Sequence, residues 1–287
     1  MNILITGSNG FIGKSLIKYL NQNQPELKVF GWLRKFGKLN LENFQSQFGK
    51  EVKIDKVIHL ASSNQVIESW EKPHKYVIEN VELVLDTLEF CRAQKIGLVY
   101  ISSYLYGNTS NLPINELEPV QITSPYAYGK LSSENLCKFY ADNYHIPVCV
   151  LRPFNIYGPG QDTYFLLPKI ALQLKDNSSN DISIHNLLTK RDYVYIDDFC
   201  EAITKSLHKI FNYEVFNIGS GKSYATKEII NALQQIAGKN KTVKSAEIYR
   251  KNEIMDVLAD ITKAKHLLNW HPKTEISDGL RKLYDGL

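Results

Sequence analysis

ITGSNGFIGKSL, residues 5–16, sets the reading of the whole chain. The apolar run NILIT ahead of it reads as a strand. Gly7, Gly10 and Gly13 follow at once, and a helix-like stretch follows them. Gly7 permits a tight turn, Gly10 lets the backbone approach a pyrophosphate, and Gly13 lets helix and strand pack closely. The start of the helix, with Asn9, Phe11 and Ile12 around it, then offers free amides and a partial positive charge to an anion. A glycine triplet alone is a weak sign. Here strand, loop and helix come in the required order, and together they point to dinucleotide binding.

Outward from this loop, short apolar runs alternate with longer amphipathic ones. NILITG, KVFGWL, KVIHLAS, LVYISS and PVCVLRP read as strands. Residues 13–21, 73–94 and 125–144 read as helices, and a further short strand is expected near Leu39–Leu41. This alternation predicts an α/β fold of the Rossmann type, a doubly wound parallel sheet covered on both faces. After Pro153 the pattern loosens into a polar loop at 176–181, a strand leading into a helix at 191–198, and another strand at 214–221. The expected division is a nucleotide-binding domain of residues 1–155, to which 190–218 return. A smaller C-terminal α/β substrate-binding part would hold 156–189 and 219–287.

The chain has 287 residues, enough for a large core or two modest domains. A net charge of +4, spread without basic runs, gives no reason to expect nucleic acid or a membrane surface as partner. Cys91, Cys137, Cys149 and Cys200 lie far apart with no CxxC spacing. That argues against zinc or a disulfide framework, so no metal is expected, and it fits a reducing cytoplasm. The N-terminus turns polar too soon for a signal peptide, and no apolar run is long enough to span a bilayer.

The end of the second strand bears on the cofactor. An acid there holds the ribose hydroxyls of NAD, whereas an arginine suits a 2′-phosphate. The sequence reads Leu33-Arg34-Lys35, without an acid. Arg34 has the fork that grips phosphate, so this terminus favours NADP(H), with NAD(H) as the alternative.

SPYAYGK, residues 124–130, places two tyrosines ahead of a lysine. Ser124-Pro125 reads as an N-cap followed by proline at the first helical position. Tyr126 and Lys130 are four residues apart and share a helix face, while Tyr128 points away. A nearby ammonium would lower the Tyr126 pKa, which makes Tyr126 the proton-donor candidate. Upstream, ISSYLYG (101–107) brings hydroxyls to a strand's carboxyl end, where open α/β sheets bind ligands.

TGSNGFIG, VIHLAS, ISSYLYG, YAYGK, LRPFNIYGPGQ, RDYVYIDD, FNIGSG and LNWHP run in this order over nearly the whole chain. In that order they resemble the extended short-chain dehydrogenase/reductase superfamily, in its nucleotide-sugar epimerase, dehydratase and reductase branch. The resemblance implies Ser102, Tyr126 and Lys130 as catalytic residues. Ser102 is four before Tyr106 of the Tyr-Gly pair, and Ser103 adds a second hydroxyl. It implies that Tyr126 exchanges a proton with the sugar oxygen, that Ser102 hydrogen-bonds that oxygen, and that Lys130 holds the nicotinamide ribose. Leu60 and Ala61, beside His59, are expected against the cofactor, with His59 in a structural role, and Asn80 against a water or backbone group. Asn155, Arg191 and Arg250 are expected on a nucleotide diphosphate, for which arginine's planar fork is apt. The family's dehydratases carry Asp-Glu directly after the catalytic hydroxyl. Ser103 and Tyr104 stand there instead, and neither supplies the carboxyl group that elimination needs.

The reading that follows is a cytoplasmic NADPH-dependent reductase of a 4-keto-6-deoxy nucleotide-diphosphate sugar. Its competitors are a 4-epimerase with tightly held NAD and a non-catalytic NADP-binding regulator. Such enzymes often dimerise through helices like 73–94 and 125–144, so a homodimer is expected.

Overall fold

The computed structural model describes residues 1–248 and 253–287. In chain order the first half runs β1 (Asn2–Thr6), α1 (Phe11–Asn23), β2 (Lys28–Trp32), α2 (Leu41–Phe48), β3 (Lys56–His59), α3 (Val66–Glu71), α4 (Pro73–Gln94), β4 (Gly97–Ile101), α5 (Pro125–Tyr144) and β5 (Val148–Pro153). The second half runs β6 (Asn155–Tyr157), α6 (Leu166–Lys175), β7 (Asp181–Ile184), β8 (Lys190–Tyr195), α7 (Ile196–Leu207), β9 (Tyr213–Ile218), β10 (Ser223–Ala225), α8 (Thr226–Ala237), β11 (Thr242–Ser245), α9 (Thr262–Leu267) and α10 (Ile276–Asp285).

Six parallel strands form the main sheet in the order β2-β1-β3-β4-β5-β9. Every residue of β4 and β5 is buried, as strands covered on both faces must be. The alternation along β1 divides the core. Ile3 and Ile5 face α1 and α7, with Leu16, Leu20, Phe199 and Ile203, while Leu4 faces the α4/α5 side with Val84, Leu88 and Cys137. The first of these clusters continues into the C-terminal part through Trp270, Leu280 and Leu283.

The strand expected near Leu39–Leu41 is instead the entry to α2. Asn40 caps that helix, its Oδ1 accepting the Asn43 N–H at 2.8 Å. A satisfied N-cap favours helix over the weak β pattern of so short a run. The segment 190–218 divides between sheets. β8 lies in a small sheet of order β10-β8-β6, while α7 packs on α1 and β9 pairs along β5 in the main sheet. β7 and β11 form a separate pair.

From β1 the chain moves outward to β2, then returns to β3 on the other side of β1. This reversal opens a crevice at the carboxyl ends of β1 and β3, where α/β sheets bind ligands. Among the described residues, no helix is long and apolar enough to cross a membrane.

Candidate active site

The glycine loop fits what a pyrophosphate requires. Gly7 has φ +69°, and a Cβ on it would stand 2.7 Å from the Ala61 nitrogen. A Cβ on Gly13 would meet the Gly7 carbonyl oxygen at 2.4 Å. Gly10 is the N-cap of α1 and has no side chain with which to cap it. The first-turn amides of Phe11, Ile12 and Gly13 are therefore left for an anion, with Asn9 exposed beside them. Leu60 and Ala61 follow β3 and close the other side of the loop. The Leu60 N–H donates to the Thr6 carbonyl at 3.3 Å and the Ala61 N–H to Thr6 Oγ1 at 3.2 Å.

The catalytic candidates gather at the carboxyl end of β4 and the start of α5. Ser124 caps α5 by accepting the Ala127 N–H at 3.1 Å, and Pro125 opens the first turn. Tyr126 is half-buried, whereas Tyr128 is 54% exposed. Lys130 is buried, and its Nζ donates to the carbonyl of Ile101, the last residue of β4, at 2.9 Å. Ser103 stands beside the Tyr126 hydroxyl. Ser102 Oγ is buried without a hydrogen-bond partner among the described residues. Such a group costs stability unless something arrives to pair with it, and a substrate oxygen would do so.

The electrostatics depart from the expected downward shift of Tyr126. Burial pushes its phenol up to about 12, and the Ser103 hydroxyl only partly opposes this. Lys130 is itself desolvated. Burial lowers it to about 8, against the nearby Glu134 carboxylate, and the Ile101 carbonyl engages its ammonium. Tyr126 is thus held in its acid form at neutral pH. His59 is also neutral, because burial and then the Lys130 charge hold it at about 3. Its Nδ1 lies 3.1 Å from Thr6 Oγ1 and 2.8 Å from Thr87 Oγ1, a structural bridge.

Asn80 holds the loop after β3, as its expected backbone contact. Its Oδ1 accepts the Ser63 N–H at 2.9 Å, and its Nδ2 donates to the Ser63 carbonyl at 3.1 Å. The preceding residue, Glu79, carries no sequence signal. It pairs with Arg34 at 3.3 Å and accepts the Ser63 hydroxyl at 2.6 Å. Arg34, expected from the sequence on a 2′-phosphate, therefore also has a carboxylate partner within the chain.

On the substrate side, Asn155 and Arg191 lie on the paired strands β6 and β8. Asn155 Nδ2 donates to the Asp192 carbonyl at 3.0 Å. Arg191 pairs with Glu253 at 2.7 Å and donates from Nη1 to the carbonyls of Ile254 at 2.7 Å and Lys190 at 2.8 Å. Much of its fork is thus engaged within the chain. Arg250 lies outside the described residues. Asp192, also unforeseen, fixes the neighbouring turns, accepting from the Ser220, Gly221 and Ala259 amides at 2.6, 3.0 and 3.1 Å.

A buried polar network behind the site was not foreseen either. Glu134 takes Arg152 Nη2 at 2.5 Å and Nε at 3.0 Å. Arg152 Nη1 donates to the Tyr106 hydroxyl at 2.9 Å, which donates to Asn217 Oδ1 at 2.6 Å. The four-residue step from Tyr126 to Lys130 reaches Glu134 if continued one turn, and that was the available signal.

Comparison with known proteins agrees with this geometry. Residues 3–219 match the family described as NAD dependent epimerase/dehydratase. The chain is 30% identical to a dTDP-4-dehydro-6-deoxyglucose reductase of Escherichia coli, over 98% of this chain and 96% of that one. It is similar to the structure of RMD from Pseudomonas aeruginosa complexed with NADPH, with TM-score 0.91, 26% identity, and coverage of 99% and 98%. It is also similar to a Bacillus cereus UDP-glucuronic acid 4-epimerase in complex with UDP-glucuronic acid and NAD, with TM-score 0.86, 32% identity, and coverage of 100% and 98%. The sheet order, the glycine cradle and these likenesses agree: the chain belongs to the NAD-dependent epimerase/dehydratase family, as an enzyme of the extended short-chain dehydrogenase/reductase type.

Proposed function

We propose that the chain is an NADPH-dependent reductase of a 4-keto-6-deoxy nucleotide-diphosphate sugar. The observation that carries this reading is the half-buried Tyr126 beside Ser103, its phenol pushed up by burial, with the orphaned hydroxyl of Ser102 in the same motif as Ser103. A reductase needs an acid at this place first, whereas an enzyme that begins by oxidising an alcohol needs a base. Two further features support it. No acid follows β2, and no carboxylate stands at 103 or 104 to drive elimination.

When bound, the nicotinamide supplies a hydride to the carbonyl carbon. Ser102 donates a hydrogen bond to the carbonyl oxygen, Tyr126 gives that oxygen its proton, and the Lys130 ammonium steadies the phenolate left behind. Ser103, Asn155, Arg191 and Arg250 hold the sugar diphosphate. In this proposal residues 1–155, with α7 and β9, carry the cofactor, and 156–189 with 219–287 carry the sugar. A homodimer belongs to the same proposal. Ile78 and Leu85 on α4 and Tyr128 and Phe139 on α5 are exposed apolar groups that a second copy would cover. Sedimentation should then give twice the chain mass, and a monomer mass at micromolar concentration would refute it.

A second reading, a 4-epimerase with tightly held NAD, is favoured by the Glu79 carboxylate at Arg34. One experiment separates the two. The purified chain is denatured and any released cofactor identified, and fresh chain is mixed with NADPH and a 4-keto nucleotide sugar. Stoichiometric consumption of NADPH with formation of one C4 alcohol is expected. Released NAD, together with interconversion of C4 epimers in the absence of added cofactor, would overturn the reductase.

A further inference from the structure

Arg34 lies in the turn after β2, and Ser63 in the loop after β3. These strands flank β1, so the Arg34–Glu79–Ser63 contacts link the two segments on either side of the glycine loop. The two partners are unequal. The Arg34 side chain is 76% exposed and long, whereas Glu79 is 28% exposed and held by the Ser63 hydroxyl at 2.6 Å. Asn80, the next residue of α4, fixes the Ser63 backbone from both its amide and its carbonyl.

We propose that Glu79 is a specificity-determining residue, a fixed counter-charge on Arg34 that weakens the chain's preference for NADP(H) over NAD(H). The inference rests on the reading above that Arg34 meets the cofactor's 2′ position. A 2′-phosphate is a dianion and seeks both nitrogens of a guanidinium fork. Glu79 already stands 3.3 Å from one nitrogen of that fork and repels a second anion. A 2′-hydroxyl carries no charge and can donate to the carboxylate. Glu79 thus supplies, from a helix, the acid that Leu33-Arg34-Lys35 lacks at the end of β2. The Ser63 hydroxyl, by donating to Glu79, holds its carboxyl below the usual range, and Arg34 and Lys75 add to this, so the negative charge persists at neutral pH.

Four chains test the inference: the parent, Glu79→Gln, Arg34→Ala, and the double variant. Gln keeps an acceptor for Ser63, so the loop keeps its anchor. Dissociation constants for NADPH and NADH are measured by calorimetry at low and high salt. Glu79→Gln should tighten NADPH about 5-fold while leaving NADH unchanged or weaker, a modest effect because the pair is partly solvated. The gain should shrink in high salt and vanish in the Arg34→Ala background, as coupling through Arg34 requires. If Glu79→Gln shifts both cofactors equally, or acts equally without Arg34, the inference is wrong while the reading of Arg34 stands. If Arg34→Ala leaves the NADPH-to-NADH ratio unchanged, that reading fails and the inference falls with it.

Discussion

Tyr126→Phe is expected to lower the single-turnover rate by about 100- to 10,000-fold, the usual loss when a general acid is removed. The ring and its packing stay, so cofactor and substrate affinity should change little. Tyr128→Phe should leave turnover near the parent value, because that side chain is exposed on the other side of α5. The pH profile gives a second check. Lys130 has been lowered to about 8 by burial, so its ammonium is present below that pH and lost above it. In the proposed mechanism only the charged form stabilises the phenolate that Tyr126 becomes. The rate should therefore fall as pH rises through about 8, and Lys130→Met should be slow throughout and lack that limb. An active Tyr126→Phe chain beside an inactive Tyr128→Phe chain would sink the assignment.

Arg152→Ala should cost stability on a comparable scale, about 3–5 kcal/mol, because it strands the Glu134 carboxylate in the interior. Both partners are nearly inaccessible, with side chains 7% and 3% exposed, so solvent cannot compensate. The loss also removes the Nη1 donor to Tyr106 and the guanidinium 5.1 Å from its ring centroid. Urea unfolding measures the cost. Replacing both members, Glu134→Leu with Arg152→Met, should recover much of the stability, since apolar groups of similar volume often match a buried pair. A single Arg152→Ala chain as stable as the parent would contradict the network's structural role.

The elements read well from the sequence share a cause: their boundaries are written in local chemistry. Pro73 and Pro125 occupy first helical positions, and Ser124 is a satisfied cap, so α4 and α5 begin where the sequence placed them. The glycine loop is fixed by sterics that no other residue meets, as the Gly7 and Gly13 contacts show. α2 was misread because its signal is one capping asparagine, Asn40, ahead of a short run that also alternates. Helices α3 and α6 were passed over, the first being only Val66–Glu71.

Within the candidate site, Ser102, Ser103, Tyr126 and Lys130 could be proposed from the sequence because two motifs carry them, and the structure places these at the carboxyl end of β4 and the start of α5. Glu79 could not, since one acid on a helix surface looks like any solvated charge. The Arg152–Glu134 pair was hidden for another reason. Its partners belong to β5 and α5, and only the packing of one on the other makes them neighbours. The rise of Tyr126 to about 12 depends on burial, which residue spacing does not report.

The position of β9 has a consequence for how the chain is made. β5 lies between β4 and β9, and all six of its residues are buried in the finished protein. β9 is encoded only after β6, β7, β8 and α7. On the ribosome, β5 therefore emerges with one edge bare, and it stays so until Ile218 has cleared the exit tunnel. At ~5–20 residues per second this wait lasts seconds, long enough for an apolar, unpaired edge to meet another chain. Nascent chains stalled or cut before residue 213 should be the aggregation-prone species, and a holding chaperone would act on them, whereas the completed protein covers that edge itself.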